Sequence, residues 1–320
     1  MKRAHNMYTR LFPAPHSDIA CSLGRLESIY EDKENLDRAI DFYHRHLEME
    51  EKCLPLEHPD LYRHLDRLTK TNKKKSDTKK ALIFCEKKLA LQKAILGDNH
   101  SRIASTLTTM GDVSENEEKQ LYYEQALFVL ESCTPRNELL LIASLTTLGD
   151  IAIDQGQVEN GTAHWKHILD ILRQIHSLDH PKIAKQPERL GDVYYEEIKD
   201  CTEGLRYFSE SLIYRANSGD QHSRILQLEY KIGKVYAEKG DFTLAVESYQ
   251  RVLKLKEQHL PLGHIDISTS IDMIAKMYKQ NGVNKRAMEF VKKKKASQKN
   301  TLGKKHPYNS FNAYDNGRYP

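Results

Sequence analysis

Histidine is the residue type that most directly raises a chemical question in this sequence, because imidazole binds metal ions and exchanges protons near neutral pH. The 320-residue chain contains 15 histidines. Seven of them recur at a step of 42 residues, apart from one interval of 80 that equals a 38-residue copy followed by a 42-residue copy. The regular step indicates a repeat rather than one site. These histidines are His16, His58, His100, His180, His222, His264 and His306.

The spacing of these marker histidines argues against a shared metal ion. Zinc ligands must converge to about 2.0–2.3 Å from the ion. A period of this length predicts stacked helix pairs, so histidines one repeat apart are separated by a helix pair, at roughly 8–10 Å per packed layer. We therefore interpret the marker histidines as capping and packing groups near helix starts, and we predict no metal site and no cofactor.

Sequence motifs for catalysis are also missing. The chain contains no GxxxxGK[ST] or GxGxxG phosphate-binding loop, no GxSxG nucleophile and no HExxH zinc motif. Carboxylates are plentiful, but no pattern pairs them in an apolar cleft. We predict that the protein is not an enzyme.

Composition indicates which classes of partner the protein binds and in which compartment it is found. The 49 Lys and Arg residues exceed the 45 Asp and Glu residues by only four, which is too few to indicate nucleic acid. No apolar run approaches membrane-spanning length, and the N-terminus lacks the apolar segment of a secretory signal. The five cysteines are scattered without a CxxC pair, as is typical of free thiols in a reducing compartment. We therefore predict a cytoplasmic protein with no membrane partner.

The sixth copy of the repeat, Gln227–Leu255, gives the clearest view of the elements that carry these residues. Its apolar spacing predicts one helix that ends before Gly240 and a second helix from about Phe242. Glycine at position 240 suits the left-handed conformation that commonly ends a helix. Gly233 and Ala245 are small where the two helices must approach closely.

This arrangement resembles the tetratricopeptide repeat, and the 42-residue step with its His-Pro opening is similar to the kinesin light chain variety. The opening is present at His58-Pro59, His180-Pro181 and His306-Pro307. The resemblance implies an all-α, right-handed superhelical solenoid of about seven antiparallel helix pairs. We predict an N-terminal extension over 1–15, a repeat array over 16–306 and a disordered C-terminal tail over 307–320. The repeats begin near residues 16, 58, 100, 138, 180, 222 and 264.

The resemblance also implies a binding surface, because the first helices of tetratricopeptide repeats line a concave groove. Groove positions lie three before, one after, and four or five after the small residue of each first helix. Three aspartates follow a glycine in consecutive repeats, so the middle of the groove is predicted to be acidic. The predicted groove residues are Asp112, Glu115, Asp150, Asp154, Glu188, Asp192, Glu196, Tyr230 and Lys234.

These positions predict a protein-interaction scaffold that binds other proteins through extended basic peptide segments. An ordinary solvated helix face is the alternative for the acidic stripe. A kinesin-light-chain-like cargo adaptor is another alternative, although LTTM, LTTL and PERL replace the asparagine-containing segment of that family at residues 107–110, 145–148 and 187–190. An RNA-associated repeat protein that uses its lysine-rich turns is a third, but we favour a protein partner over nucleic acid because the lysine runs lie far apart.

Overall fold

The computed structural model describes residues 2–11, 17–176, 181–217, 222–261 and 264–302. The predicted tail over 307–320 and the marker histidines His16, His180 and His306 lie outside these ranges. All regular secondary structure within the described residues is helical, which confirms the all-α prediction. The chain divides into two compact units, residues 1–156 and 157–320, and we describe each by itself.

The first unit contains eight helices among its described residues. A ten-residue helix near the N-terminus packs against the next helix, and six further helices follow with short turns between them. The helices are α1 Lys2–Leu11, α2 Ser17–Asp32, α3 Leu36–Cys53, α4 Pro59–Lys74, α5 Thr78–Leu96, α6 Ser101–Val113, α7 Asn116–Ser132 and α8 Glu138–Asp154.

The second unit contains seven helices among its described residues. Its turns are also short, and one of them, between Glu196 and Cys201, is longer than the corresponding turn of the sixth repeat. The helices are α9 Val158–Ile175, α10 Pro181–Glu196, α11 Cys201–Asn217, α12 His222–Lys239, α13 Phe242–His259, α14 Ile265–Gln280 and α15 Asn284–Leu302.

Within each unit, every helix packs against its neighbours in the chain. This pattern confirms the predicted array of helix pairs. The core consists of separate apolar clusters between successive helices, as expected when each repeat buries its apolar face against the next one. In the first unit, one such cluster joins α3, α4 and α5 through residues that are at most 8% exposed. They are Ala39, Tyr43, Leu47, Leu61, Leu65, Leu68 and Phe84.

Three marker histidines cap helices, as predicted. In each case Nδ1 accepts a hydrogen bond from the main-chain N–H two residues further on, and so satisfies a donor that the helix itself leaves unpaired. The three Nδ1-to-N distances are 3.3, 3.1 and 3.2 Å for His58, His100 and His264 respectively. The repeating histidine therefore sets the start of the first helix in these repeats.

The sixth repeat matches its predicted boundaries. Helix α12 ends at Lys239, Gly240 has a φ of 84°, and α13 begins at Phe242. The positive φ is open to glycine at low cost because it has no Cβ. This turn lets α13 fold back onto α12, and Tyr249 of α13 then packs against Gly233.

None of the helices in the described part of the chain combines the length and the apolar character that crossing a membrane requires.

Candidate functional site

The predicted groove residue Asp112 is exposed and lies in the last turn of α6. Its carboxylate is held from within its own repeat, since the Tyr123 hydroxyl donates to Asp112 Oδ1 at 2.5 Å. Burial and this carboxylate raise the pKa of Tyr123 to about 12. The main-chain carbonyl of Asp112 accepts a bond from Lys73 Nζ at 2.7 Å. The structure thus fixes the end of α6 to both its partner helix and the preceding repeat.

Three further predicted residues of the first unit lie at helix ends. Glu115 is exposed at the N-cap of α7, and Asp154 is the exposed last residue of α8. Asp150 is half-buried one turn before Asp154. The last turn of α8, which the structure describes in full, contains no basic residue. Carboxylates one turn apart repel each other, and the negative end of the helix dipole adds to the cost.

The lysine-rich turn after α4 is tied to neighbouring repeats. Besides Lys73, Lys74 Nζ lies 3.4 Å from Glu31 Oε1, and Lys75 forms an ion pair with Asp37. These contacts join the end of α4 to the preceding and following repeats. The turn therefore directs these lysines at groups of its own chain.

In the second unit, two predicted acidic residues of α10 are neutralised by cations of the following helices. Lys231 of α12 lies 2.7 and 2.8 Å from the two carboxylate oxygens of Asp192, and 3.5 Å from Glu188 Oε1. Arg215 of α11, which is 3% exposed, forms an ion pair with Glu188 Oε2. Burial outweighs Lys231 and raises the pKa of Asp192. The acidic character predicted for α10 is thus largely compensated within the unit.

The remaining three predicted residues differ in exposure. Glu196 is exposed at the end of α10. Tyr230 is half-buried, and its ring centroid lies 5.8 Å from that of Tyr249. Lys234 is exposed, with Nζ 5.1 Å from the centroid of the Tyr195 ring. Tyr230 and Lys234 therefore contribute to packing on neighbouring helices.

A buried group of titratable side chains was missed by the sequence reasoning. Glu27 of α2, His46 and Glu50 of α3, and His64 of α4 form a cluster in the first unit and are 1, 7, 7 and 1% exposed. Burial acts to raise the pKa of Glu27, but the neighbouring His46 and His64 outweigh it and lower this pKa to about 2. Burial opposes charge on His64 as well, yet Glu27 and Glu50 raise its pKa. Glu27 and His64 therefore favour their charged forms although both are buried.

The sequence did carry a signal for this cluster. Glu27 stands eleven residues after the marker His16, where the third, fifth and sixth repeats have a glycine after their own marker. His46 stands thirty residues after His16, where the sixth repeat has Val252. An ionisable residue thus occupies the first of these positions only in the first repeat, and at the second position His46 replaces the apolar residue of the sixth repeat. Our prediction of no metal site considered the marker histidines and did not include His46 or His64.

Comparisons with known proteins agree with this architecture. Two segments match models of the tetratricopeptide repeat, residues 22–57 and residues 228–259. One match lies in each unit, so each unit contains a segment that matches the tetratricopeptide repeat. The resemblance drawn from the sequence is confirmed. Tetratricopeptide repeats generally mediate interactions between proteins. No curated protein matches the chain.

Solved structures of helical repeat proteins are similar to this chain at low sequence identity. BtubC (BKLC) from P. vanneervenii is 16% identical, with 76% of this chain and 94% of that chain covered and a TM-score of 0.45. A Podosopora anserina putative kinesin light chain with nearly identical TPR-like repeats is 18% identical, with 77% and 98% covered and a TM-score of 0.43. A signal transduction ATPase with numerous domains and a tetratricopeptide repeat sensor, from Pyrococcus horikoshii, is 12% identical. This chain is covered to 98%, that chain to 45%, and the TM-score is 0.51; this likeness concerns the fold alone.

Proposed function

We propose that this protein is a non-enzymatic scaffold that binds an extended peptide carrying Lys or Arg along the first helices of its repeats. The proposal is centred on the first unit, at Asp112, Glu115, Asp150 and Asp154. The observation that supports it most is the position of the aspartates. They lie at the C-terminal ends of α6 and α8, where the helix dipole is also negative and the last turn has no basic residue.

A cationic peptide would relieve this unfavourable placement. Each carboxylate near a helix C-terminus is destabilised by a few tenths of a kcal/mol, up to about 1 kcal/mol. A Lys or Arg side chain from a ligand adds positive charge at these helix ends, and the negative potential also accelerates encounter with such a ligand. Surface charges at this site therefore favour one class of peptide without requiring a deep pocket.

We expect the second unit to contribute less to peptide binding. Because Lys231 and Arg215 already pair with Asp192 and Glu188, a ligand cation would have to displace them. The lysines of the turn after α4 are also paired within the chain. This pairing supports a peptide ligand over RNA, since phosphate binding requires lysines that face solvent as a continuous basic surface.

The proposal is tested by fluorescence anisotropy with labelled peptides of equal length that are basic, neutral or acidic. We expect binding of the basic peptide only, with affinity that weakens as salt is added. The variant with Asp112→Asn, Glu115→Gln and Asp154→Asn should bind at least about tenfold more weakly, which corresponds to about 1.4 kcal/mol.

The matched control carries Glu48→Gln, Glu124→Gln and Glu131→Gln. These exposed residues lie on the second helices α3 and α7, so the change in net charge is the same while the predicted groove is unaltered. Equal loss of binding in both triple variants would show a general charge effect and contradict the site. Binding of single-stranded RNA without binding of any peptide would contradict the function.

A further inference from the structure

The buried cluster of Glu27, His46, Glu50 and His64 is arranged around a point where three helices meet. Glu27 Oε1 lies 2.7 Å from His46 Nδ1, and Glu27 Oε2 lies 3.8 Å from His64 Nε2. One potential ligand atom from each of these three residues lies within 4.8 Å of the others. The two imidazole rings are 4.2 Å apart between centroids. Glu27 therefore faces one nitrogen of each histidine.

Glu50 faces the other nitrogen of each histidine. Its Oε1 lies 3.5 Å from His46 Nε2 and its Oε2 lies 2.7 Å from His64 Nδ1. His64 Nδ1 also lies 3.0 Å from the main-chain carbonyl of Asp60. A carbonyl can only accept, so Nδ1 of His64 carries its proton there and Nε2 is directed at Glu27. Metal-binding histidines typically have this arrangement, with a carboxylate or carbonyl on the nitrogen away from the ion.

Two carboxylate oxygens of the cluster lack the donors that burial demands. Among the described residues, neither Glu27 Oε2 nor Glu50 Oε2 has a hydrogen-bond partner, although both atoms are buried. The contact of Glu50 Oε2 with His64 Nδ1 is short but does not have the geometry of a hydrogen bond. A buried carboxylate without a partner is costly. A cation near Glu27 Oε2 would remove much of this cost.

Arginine supplies only part of the compensating charge. Arg67 Nη1 lies 3.8 Å from Glu27 Oε2, and the Arg67 side chain is 41% exposed. Two buried carboxylates thus face one distant guanidinium and two imidazoles. A divalent ion at the Glu27 side of the two rings would balance both carboxylates, and Arg67 can turn towards solvent to make room for it.

We propose that Glu27, His46 and His64 bind one Zn²⁺ ion, with Glu50 facing the outer nitrogen of each imidazole. Glu27 supplies its carboxylate, His46 its Nδ1 and His64 its Nε2. A set of two imidazoles and a carboxylate suits zinc, whereas Ca²⁺ and Mg²⁺ prefer oxygen ligands alone. Because the ligands come from α2, α3 and α4 and are almost fully buried, the ion fastens the first repeat to the second and has a structural role.

The test is a calorimetric titration of the chelator-treated full chain with Zn²⁺. Cys21 and Cys53 are exposed thiols, so both are changed to Ser to remove competing zinc ligands. We expect one bound equivalent and a higher melting temperature in its presence. Glu27→Gln and His46→Gln should bind none. Glu50→Gln should retain one equivalent at about 10- to 100-fold lower affinity, as is usual when an outer carboxylate is removed.

His44→Gln is the matched control, because His44 lies on the same helix but packs against Phe84. It should retain one equivalent. Absence of a bound equivalent in the chain with Cys21→Ser and Cys53→Ser, or its retention in both Glu27→Gln and His46→Gln, would overturn the proposal and leave a hydrogen-bonded cluster only.

X-ray absorption of the zinc-loaded chain with Cys21→Ser and Cys53→Ser tests the same point without further substitution, in case a variant fails to fold. A shell of two imidazoles with oxygen supports the site, and a shell of oxygen alone contradicts it.

Discussion

At the scale of single residues, the small positions of the repeat are set by close contact with aromatic rings. A Cβ added to Gly191 would lie 2.6 Å from Phe208 Cδ1, and one added to Gly233 would lie 2.8 Å from Tyr249 Cε1. Both distances are shorter than side chains tolerate, and Phe208 is fully buried. The rings therefore occupy the space that glycine leaves, which is why these residues must be small.

We predict that Gly191→Ala and Gly233→Ala each destabilise the protein by about 1–3 kcal/mol, because the added methyl group overpacks the helix pair. Gly24→Ala is the matched control, since its Cβ would be 3.7 Å from the nearest atom of His46. That change should be neutral or stabilise by about 0.5–1 kcal/mol through helix propensity. Urea denaturation measures all three. Stability of Gly191→Ala at or above the wild-type value would contradict the packing.

At the scale of helices, capping by His58, His100 and His264 gives a local reason for a histidine at the start of these repeats. At His100, Nδ1 accepts from the N–H of Arg102 at 3.1 Å and α6 begins at the next residue, Ser101. The side chain thus supplies an acceptor to a helix terminus that cannot provide one itself. Because each histidine caps its own helix, these histidines do not need to converge on one binding site.

We predict that His100→Ala lowers the free energy of unfolding by about 0.5–2 kcal/mol, because the cap is lost. His100→Asn should restore most of this loss, since asparagine is among the preferred N-cap residues. Thermal unfolding compares the stabilities, and amide hydrogen exchange in the first turn of α6 locates the effect. An equal loss in both variants would show that His100 acts through packing rather than through its cap.

At the scale of the whole molecule, buried tyrosines make the stability of both units depend on alkaline pH. Burial and Asp112 raise the pKa of Tyr123 to about 12, and burial also raises the pKa of Tyr249 to about 12. The folded state holds these protons more strongly than the unfolded state, whose tyrosines titrate near 10. Their contribution is therefore complete below pH 10 and is lost as pH rises through about 12.

We predict that stability falls between pH 10 and 12 and that Tyr123→Phe with Tyr249→Phe makes this fall shallower. Each tyrosine accounts for at most about 2–3 kcal/mol over this range. Urea denaturation followed by circular dichroism at several pH values gives the slope. The Tyr236→Phe variant controls for the substitution itself, because Tyr236 is half-buried on α12. If stability falls with pH equally steeply in the wild type and the double variant, other groups cause the alkaline sensitivity.

The sequence by itself determined the helix pairs and much of their detail. The repeat step, the turn at Gly240 and the close packing at Gly233 all depend on residues near one another in the chain. Helix formation, capping and turn geometry are local, so a pattern repeated seven times predicts them. The same pattern gave the register from which the candidate groove residues Asp112 and Asp154 were chosen.

Tertiary structure alone decided which charges meet. Lys231 was not predicted to bind Asp192, and Glu27, His46 and His64 were not predicted to converge, because these side chains come from different helices. Long side chains have many rotamers, and their partners depend on how neighbouring helices pack rather than on spacing along the chain. Packing therefore neutralised part of the predicted acidic surface and gathered a buried set of ligands that the repeat pattern does not contain.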